Sequence, residues 1–318
     1  MIYSKILATG AYLPERILTN ADLEQLVDTS DEWIRSRTGI RQRHIAAKDE
    51  STSAMAEQAV RRLMESSGTR PDDIDLIIVA TSTPDLVYPS TACLLQKRIG
   101  IHNGAAAFDV QAVCSGFVYA LSVADLFVCA GKARNAIVIG ADANSKIIDW
   151  TDRGTCVLFG DGAGAVLLGP SDEPGIYTTH LHADGAYAEM LWVPSGVSHK
   201  SGDEHVRMRG SEVFKFAVNA MGQLVEKTLE AAGMQQSDID WLVPHQANER
   251  IISATAKKLK LPMERVIVTL GEHGNTSAAS IPLALDVGIR DGRIRRGDVL
   301  LLEAVGGGFT WGSALLRY

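Results

Sequence analysis

Residues 56–85 read AEQAVRRLMESSGTRPDDIDLIIVATSTPD, and residues 220–248 read AMGQLVEKTLEAAGMQQSDIDWLVPHQAN. Each opens as an amphipathic helix, turns, passes through the tripeptide Asp-Ile-Asp and ends in a short apolar strand. Two more pairs follow in the same order. AAFDVQAVCSGFVYAL (106–121) resembles RVIVTLGEHGNTSAASIPLAL (265–285), a strand, a sharp turn and a helix. GDGAGAVLLG (160–169) resembles FTWGSALLRY (309–318), a small-residue approach and a strand. Three ordered pairs read as a duplication. The runs LIIVAT, NAIVIGA and DVLLLEAVG are continuously apolar, as strands covered by helices on both faces are. The expectation is two α/β halves, each a mixed sheet flanked by helices, packed about a pseudo-twofold axis. Clefts form at such junctions, so the two sharp turns should meet there. Residues 171–210 are richer in polar and turn residues and are expected to form an excursion over the surface.

The chain has 318 residues, long enough for about two domain-sized units, and 46% are hydrophobic. A net charge of −7 speaks against a nucleic-acid binder, so an anionic partner would need a local basic patch. The four cysteines, Cys93, Cys114, Cys129 and Cys156, form no C-x-x-C pair, and no histidine falls at zinc spacing. No metal is expected. His180 and His182 in THLHADG lack a carboxylate cluster. GDGAGA (160–165) imitates a dinucleotide fingerprint but leads into a strand, so it lacks the anion-binding helix start. MIYSKILATGAYLP does not read as a signal peptide, no apolar run reaches the roughly 18 residues of a membrane span, and the thiols look free; the expected location is cytoplasmic.

Cys114 falls between the strand AAFDV and a helix beginning near Gly116. The positive end of a helix dipole favours thiolate there, although a small buried thiol is the other reading. His245 follows the second-half strand, and Asn275 lies in the turn of GEHGNTSAAS. The repeat therefore directs a histidine and an asparagine toward the cleft that would hold Cys114. A thiol nucleophile needs an imidazole nearby, and a developing oxyanion needs donors.

Together QAVCSGFVYAL, PHQANERI, HGNTSAAS and GGGFTWGSALLR resemble the β-ketoacyl-acyl carrier protein synthase III family, the condensing enzymes that initiate bacterial fatty-acid synthesis. The likeness runs through essentially the whole chain. It implies a thiolase-like α/β fold, with mixed five-stranded sheets in α-β-α-β-α layers and halves at 1–170 and 171–318. It implies a homodimer and no cofactor beyond the substrates, acyl-coenzyme A and malonyl-acyl carrier protein. By resemblance Cys114 takes the acyl group, and His245 and Asn275 stabilise the enolate left by decarboxylation. The backbone N–H groups of Cys114 and Gly307 form the oxyanion hole. His273 matches no catalytic position of this family and is expected to be structural.

The resemblance also places coenzyme A. Trp33 would stack on adenine, Arg153 would cover its other face, Arg37 would meet phosphate, Thr29 would add a hydrogen bond and Asn248 would touch the pantetheine arm. Lys215, Arg250, Lys257 and Lys258 would dock the acidic carrier protein; 250, 257 and 258 share one helix face. Tyr88 would close the acyl pocket across the dimer. Three rival readings stand beside it. A hydroxymethylglutaryl-coenzyme A synthase has a glutamate where this chain has Ser82. A related condensing enzyme with longer acyl donors and a specialised product fits the same motifs. A non-catalytic paralogue binding acyl chains or carrier protein is disfavoured by retention of Cys114, His245 and Asn275.

Overall fold

The computed structural model describes residues 2–318. The first sheet contains β1 (Tyr3–Tyr12), β2 (Leu76–Ala80), β3 (Ala106–Val110), β4 (Ala136–Ala143) and β5 (Asp161–Ser171), in the order β1-β5-β4-β2-β3. The second contains β6 (Ile176–Ala183), β7 (Trp241–Pro244), β8 (Val299–Gly306) and β9 (Thr310–Arg317), in the order β6-β9-β8-β7. Beyond β7 the fifth position is held by the isolated parallel bridge Leu242–Val266. The expected fifth strand thus shrinks to one bridge. Its segment leaves the helical turn Met263–Arg265 and donates back to β7 through Ile267 N at 2.9 Å. The two sheets otherwise match strand for strand.

Burial explains the apolar runs. In β2 all five residues are buried, and successive side chains serve opposite faces. Ile77 and Val79 pack under α2 (Thr52–Ser67), beside α3 (Thr91–Ile99). Ile78 and Ala80 pack on α4 (Gly116–Cys129). In β8, Leu300, Leu302 and Ala304 enter that same central core, which also holds Ala284 and Leu285 of α7 (Ser280–Arg290). Val299 and Leu301 face the other way, with Val225 and Leu229 of α5 (Gly210–Ala232) and Ile252 of α6 (Glu249–Lys258). Helices therefore lie outside both sheets and between them. Each fully buried Leu or Ile of the α4–α7 layer contributes about 1.5–3 kcal/mol to holding the halves together.

The repeat extends to hydrogen bonds. Helices α2 and α5 end at Gly68 (φ +71°) and Gly233 (φ +64°), left-handed positions that favour glycine. The second Asp of each Asp-Ile-Asp then pins the start of the next inner strand. Asp75 accepts from Arg134 N and Asn135 N at 2.7 and 3.0 Å; Asp240 accepts from Val299 N at 2.8 Å.

Residues 171–210 are not merely an excursion. Ile176–Ala183 pairs with β9 from Thr310↔Ala183 to Leu316↔Ile176, forming the outer strand of the second sheet. Polar alternation misled the reading because an outer strand needs less apolar cover. The GDGAGA segment enters β5, as expected.

Candidate active site

Cys114 lies in the short helical turn Val113–Ser115, between β3 and α4. The turn is tight because Gly306, at the end of β8, presses on it. A Cβ on Gly306 would come within 2.7 Å of Cys114 N and 3.0 Å of Ala112 O. Ser115 and Thr310 hydroxyls both donate to Ala112 O, at 2.8 Å each. His245 follows β7, its N–H bonded to Glu303 O at 2.8 Å. Asn275 is held from both sides of its backbone, donating to Leu158 O and accepting from Gly160 N at 2.9 Å each.

These three residues line one cavity of about 560 Å³. Its wall is largely apolar, with Phe159, Leu191, Met208, Met221 and Phe309 among its residues. It runs from the buried Cys114, His245 and Asn275 to exposed Arg37, Lys215 and Arg250. A deep apolar passage with few polar groups at its end suits a long, flexible ligand arm.

The hydrogen bonds fix which atoms remain available. Ser280 Oγ accepts from Gln246 N at 3.3 Å and lies 2.6 Å from His245 Nδ1. With the serine donating to Nδ1, the imidazole proton lies on Nε2. Asn275 Oδ1 accepts from Ser277 N at 2.9 Å, so its Nδ2 amide is the end left over as a donor. Two N–H donors therefore belong to the same cavity as the thiol.

Burial keeps both titrating groups neutral. Desolvation lowers His245 to about 3. Desolvation pushes the Cys114 thiol up to about 12; the Asp142 carboxylate adds to the rise, while Ser277 and the Cys114 backbone oppose it. Ser277 Oγ makes no well-formed hydrogen bond of its own, so proximity is the source of its effect. The thiolate expected from the helix start is thus overridden at rest, because loss of hydration outweighs a partial helix charge.

The coenzyme A candidates divide. Trp33 and Arg37, on the helix α1 (Asp31–Thr38), line the cavity with Asn248. Arg153 and Thr29 do not, nor do the oxyanion-hole candidate Gly307, the docking candidates Lys257 and Lys258, or Tyr88. Arg37 and Arg153 each lie over the Trp33 ring, 4.8 Å from its centroid. Arg153 thus stands directly on Trp33 rather than one ring away, because the cation–π contact draws them together. Thr29 Oγ1 is buried without a partner. Asn248 caps α6, accepting from Arg250 N at 2.9 Å and donating to Arg37 O at 3.0 Å, so both ends of its amide are engaged. Against Gly307, a Cβ would meet Leu191 O at 2.6 Å.

Arg250 packs over Phe214, 5.4 Å from its ring centre, beside exposed Lys215. Lys258 lies along α5 at Gly222, where a Cβ would meet its Cδ at 2.3 Å. Phe214 to Gly222 spans about 12 Å of helix, so the basic patch is a strip leading away from the cavity. Tyr88 is 84% exposed beside Leu86 and Val87, outside the cavity of its own chain. His273 is half-buried and edge-on to His44, with ring centres 6.3 Å apart, away from the cavity lining. Among the described residues, no cluster of three or more His, Cys, Asp or Glu side chains could hold a metal ion. Sequence reading missed Ser280, Ser277 and Asp142. The HGNTSAAS motif contains the serines, but their roles depend on the fold.

Residues 108–185 match the 3-oxoacyl-[acyl-carrier-protein] synthase III family model, and residues 229–318 match the model of its C-terminal part. The chain is 63% identical over 323 residues to a β-ketoacyl-[acyl-carrier-protein] synthase III of Thioalkalivibrio sulfidiphilus, covering 100% of both chains. It is 61% identical over 319 residues to that of Thiobacillus denitrificans, again over 100% of both. The crystal structure of 3-oxoacyl-[acyl-carrier-protein] synthase III from Aquifex aeolicus superposes with a TM-score of 0.94 at 49% identity, over 99% of this chain and 100% of the other. With full-length identity above 60% and the four motifs seated in a matching thiolase-like fold, the chain belongs to the β-ketoacyl-acyl carrier protein synthase III family.

Proposed function

We propose that Cys114, His245 and Asn275 carry the two half-reactions of a β-ketoacyl-acyl carrier protein synthase III in this chain. Family membership makes the chain an acyltransferase that initiates fatty-acid synthesis. The observation that carries the residue roles is the meeting of one thiol and two N–H donors in a single apolar cavity.

In the first half-reaction the Cys114 sulfur attacks the carbonyl of acyl-coenzyme A. The coenzyme A thiolate leaves and takes the thiol proton. N–H groups of Cys114 and Gly307 receive the transient oxyanion. In the second, the malonyl thioester on the carrier protein loses carbon dioxide and leaves an enolate. His245 Nε2–H and Asn275 Nδ2–H donate to its oxygen. Neutral His245 suits this role, because a donor is needed over a wide pH range and no proton has to be removed. The carbanion attacks the acyl-Cys114 carbonyl, and the sulfur departs as thiolate and takes one proton from solvent. The products are 3-oxoacyl-carrier protein, coenzyme A and carbon dioxide.

Trp33, Arg37, Arg153, Thr29 and Asn248 receive coenzyme A in this reading, with Arg153 swinging off Trp33 to admit adenine. Lys215, Arg250, Lys257 and Lys258 receive the acidic carrier protein. Tyr88 reaches the acyl pocket of a second copy in a homodimer. The halves 1–170 and 171–318 supply the thiol and the donors respectively. The reaction uses no cofactor beyond its substrates and takes place in the cytoplasm. No described helix is long and apolar enough to cross a membrane.

Intact-protein mass spectrometry tests this proposal. Acyl-coenzyme A should add one acyl group at Cys114, and malonyl-carrier protein should then remove it as 3-oxoacyl-carrier protein. An adduct that persists, or none with any donor, would sink the reading.

A further inference from the structure

The turn carrying Asn275 belongs to the second half, yet a strand of the first half grips it. At Gly140 in β4, a Cβ would lie 2.1 Å from Ala278 O, so glycine is what permits the close approach. Two residues on, and on the same face of the strand, is the fully buried Asp142. Its Oδ2 accepts from Ala278 N at 3.1 Å. Its Oδ1 accepts from Ser82 N at 2.7 Å and from the Thr81 and Thr83 hydroxyls at 3.1 and 3.2 Å.

Every one of these partners donates. The two backbone N–H groups have no alternative. The Thr81 hydroxyl already accepts from Thr83 N at 3.1 Å, and the Thr83 hydroxyl from Ala143 N at 2.8 Å, which leaves their protons for the carboxylate. A ring of donors with no acceptor is the environment of an anion. Burial raises the Asp142 pKa, and the donors, with Ser277, pull it back.

We propose that Asp142 is a positioning residue for the condensation half-reaction, its carboxylate fixing the Ser277–Ala278 backbone that in turn holds the Asn275 amide. The link is short: Asp142 holds Ala278 N, and the adjoining Ser277 N holds Asn275 Oδ1 at 2.9 Å. The same carboxylate clasps residues 81–83, so one first-half anion joins two loops at the junction of the halves. This inference rests on the function proposed above. It carries a signature that a purely structural role lacks. The Asp142 charge also disfavours ionisation of Cys114. Removing that charge while keeping the shape should therefore free the thiol and misplace the amide, effects of opposite sign in one cavity.

The test is Asp142→Asn, with three readouts. Acylation by acetyl-coenzyme A should remain stoichiometric and at least as fast as wild type. Decarboxylation of malonyl-carrier protein should fall roughly 10- to 100-fold, the scale expected for a misplacement of about 1 Å. The pH midpoint of Cys114 alkylation by iodoacetamide should move down; Asp142 is the charged group that acts on the thiol, and His245, which lines the same cavity, stays neutral across that range. If Asp142→Asn does not fold, Thr83→Val removes one donor to the carboxylate and should give the same split several-fold smaller, with Thr83→Ser restoring wild-type behaviour. Wild-type decarboxylation in Asp142→Asn, or equal losses in both half-reactions, would overturn the proposal. Failure of the wild-type chain itself to acylate or decarboxylate would instead overturn the function reading.

Discussion

The turn leading from β3 into α4 and the turn leading into α7 are copies of one backbone device with different chemistry. Val113 (φ +49°) and Ser277 (φ +52°) each open a three-residue helical turn that runs into the following helix. Non-glycine residues at positive φ cost on the order of 1–3 kcal/mol each and persist where the surroundings enforce them. In the first turn the next residue is Cys114, and Gly306 presses against its backbone. In the second the next residue is Ala278, whose N–H serves Asp142, and the polar cavity residue moves upstream to Asn275. Duplication kept the kink and redistributed the chemistry. A nucleophile needs a small, tight turn around itself, whereas a donor amide needs its other end tied down.

The largest expected effects break the symmetry between the turns. Cys114→Ala should leave no acyl adduct in a mass spectrum. Asn275→Ala and His245→Ala should still acylate while malonyl decarboxylation falls about 10²–10³-fold, the usual loss for a preorganised donor. An Asn275→Ala variant that condensed normally would separate the second turn from catalysis. Next comes Gly140→Ala, where a Cβ 2.1 Å from Ala278 O must displace the second turn and meets the first only through it. Decarboxylation should suffer much more than acylation, and equal losses would show that the turns do not move independently.

Arg250→Glu should lower kcat/KM for malonyl-carrier protein roughly tenfold or more at low salt while sparing acylation by acyl-coenzyme A. Equal loss in both assays would remove the docking strip. Ser280→Ala frees His245 Nδ1 and should slow decarboxylation roughly tenfold, the equivalent of one hydrogen bond. Unchanged turnover would mean that Ser280 does not set the tautomer.

The smallest effect concerns stability. Glu303 on β8 is fully buried, both carboxyl oxygens lack partners, and desolvation raises its pKa from 4.5 to about 8. A raised carboxyl pKa means tighter proton binding in the folded chain. The contribution is full below pH 4.5 and is lost as pH climbs toward 8. Glu303→Gln should therefore gain on wild type in Tm between pH 5 and 9, by roughly 2–4 °C per kcal/mol recovered. On the acid side the signs reverse. His245 and His273, lowered to about 3 and about 4, contribute stability above pH 6.5 that fades as pH falls toward those values.

Much of this was legible in the chain. Continuous apolar runs named the covered strands, Asp-Ile-Asp marked both copies of the helix-to-strand unit, and four motifs located the cavity residues. The outer strand at 176–183 escaped because one-sided cover leaves a polar sequence. Asp142 escaped because an aspartate in GADANSK has nothing in its neighbours to announce Ala278, 136 residues away.

The sequence by itself determined the elements, the duplication and the family, since propensity, periodicity and motif are properties of short stretches. Only the tertiary structure decided that Cys114 and His245 rest neutral, that Asn275 presents its amide nitrogen, and that Arg153 sits on Trp33. Desolvation, hydrogen-bond direction and stacking are set by whatever surrounds a group in space, and those surroundings come from both halves of the chain.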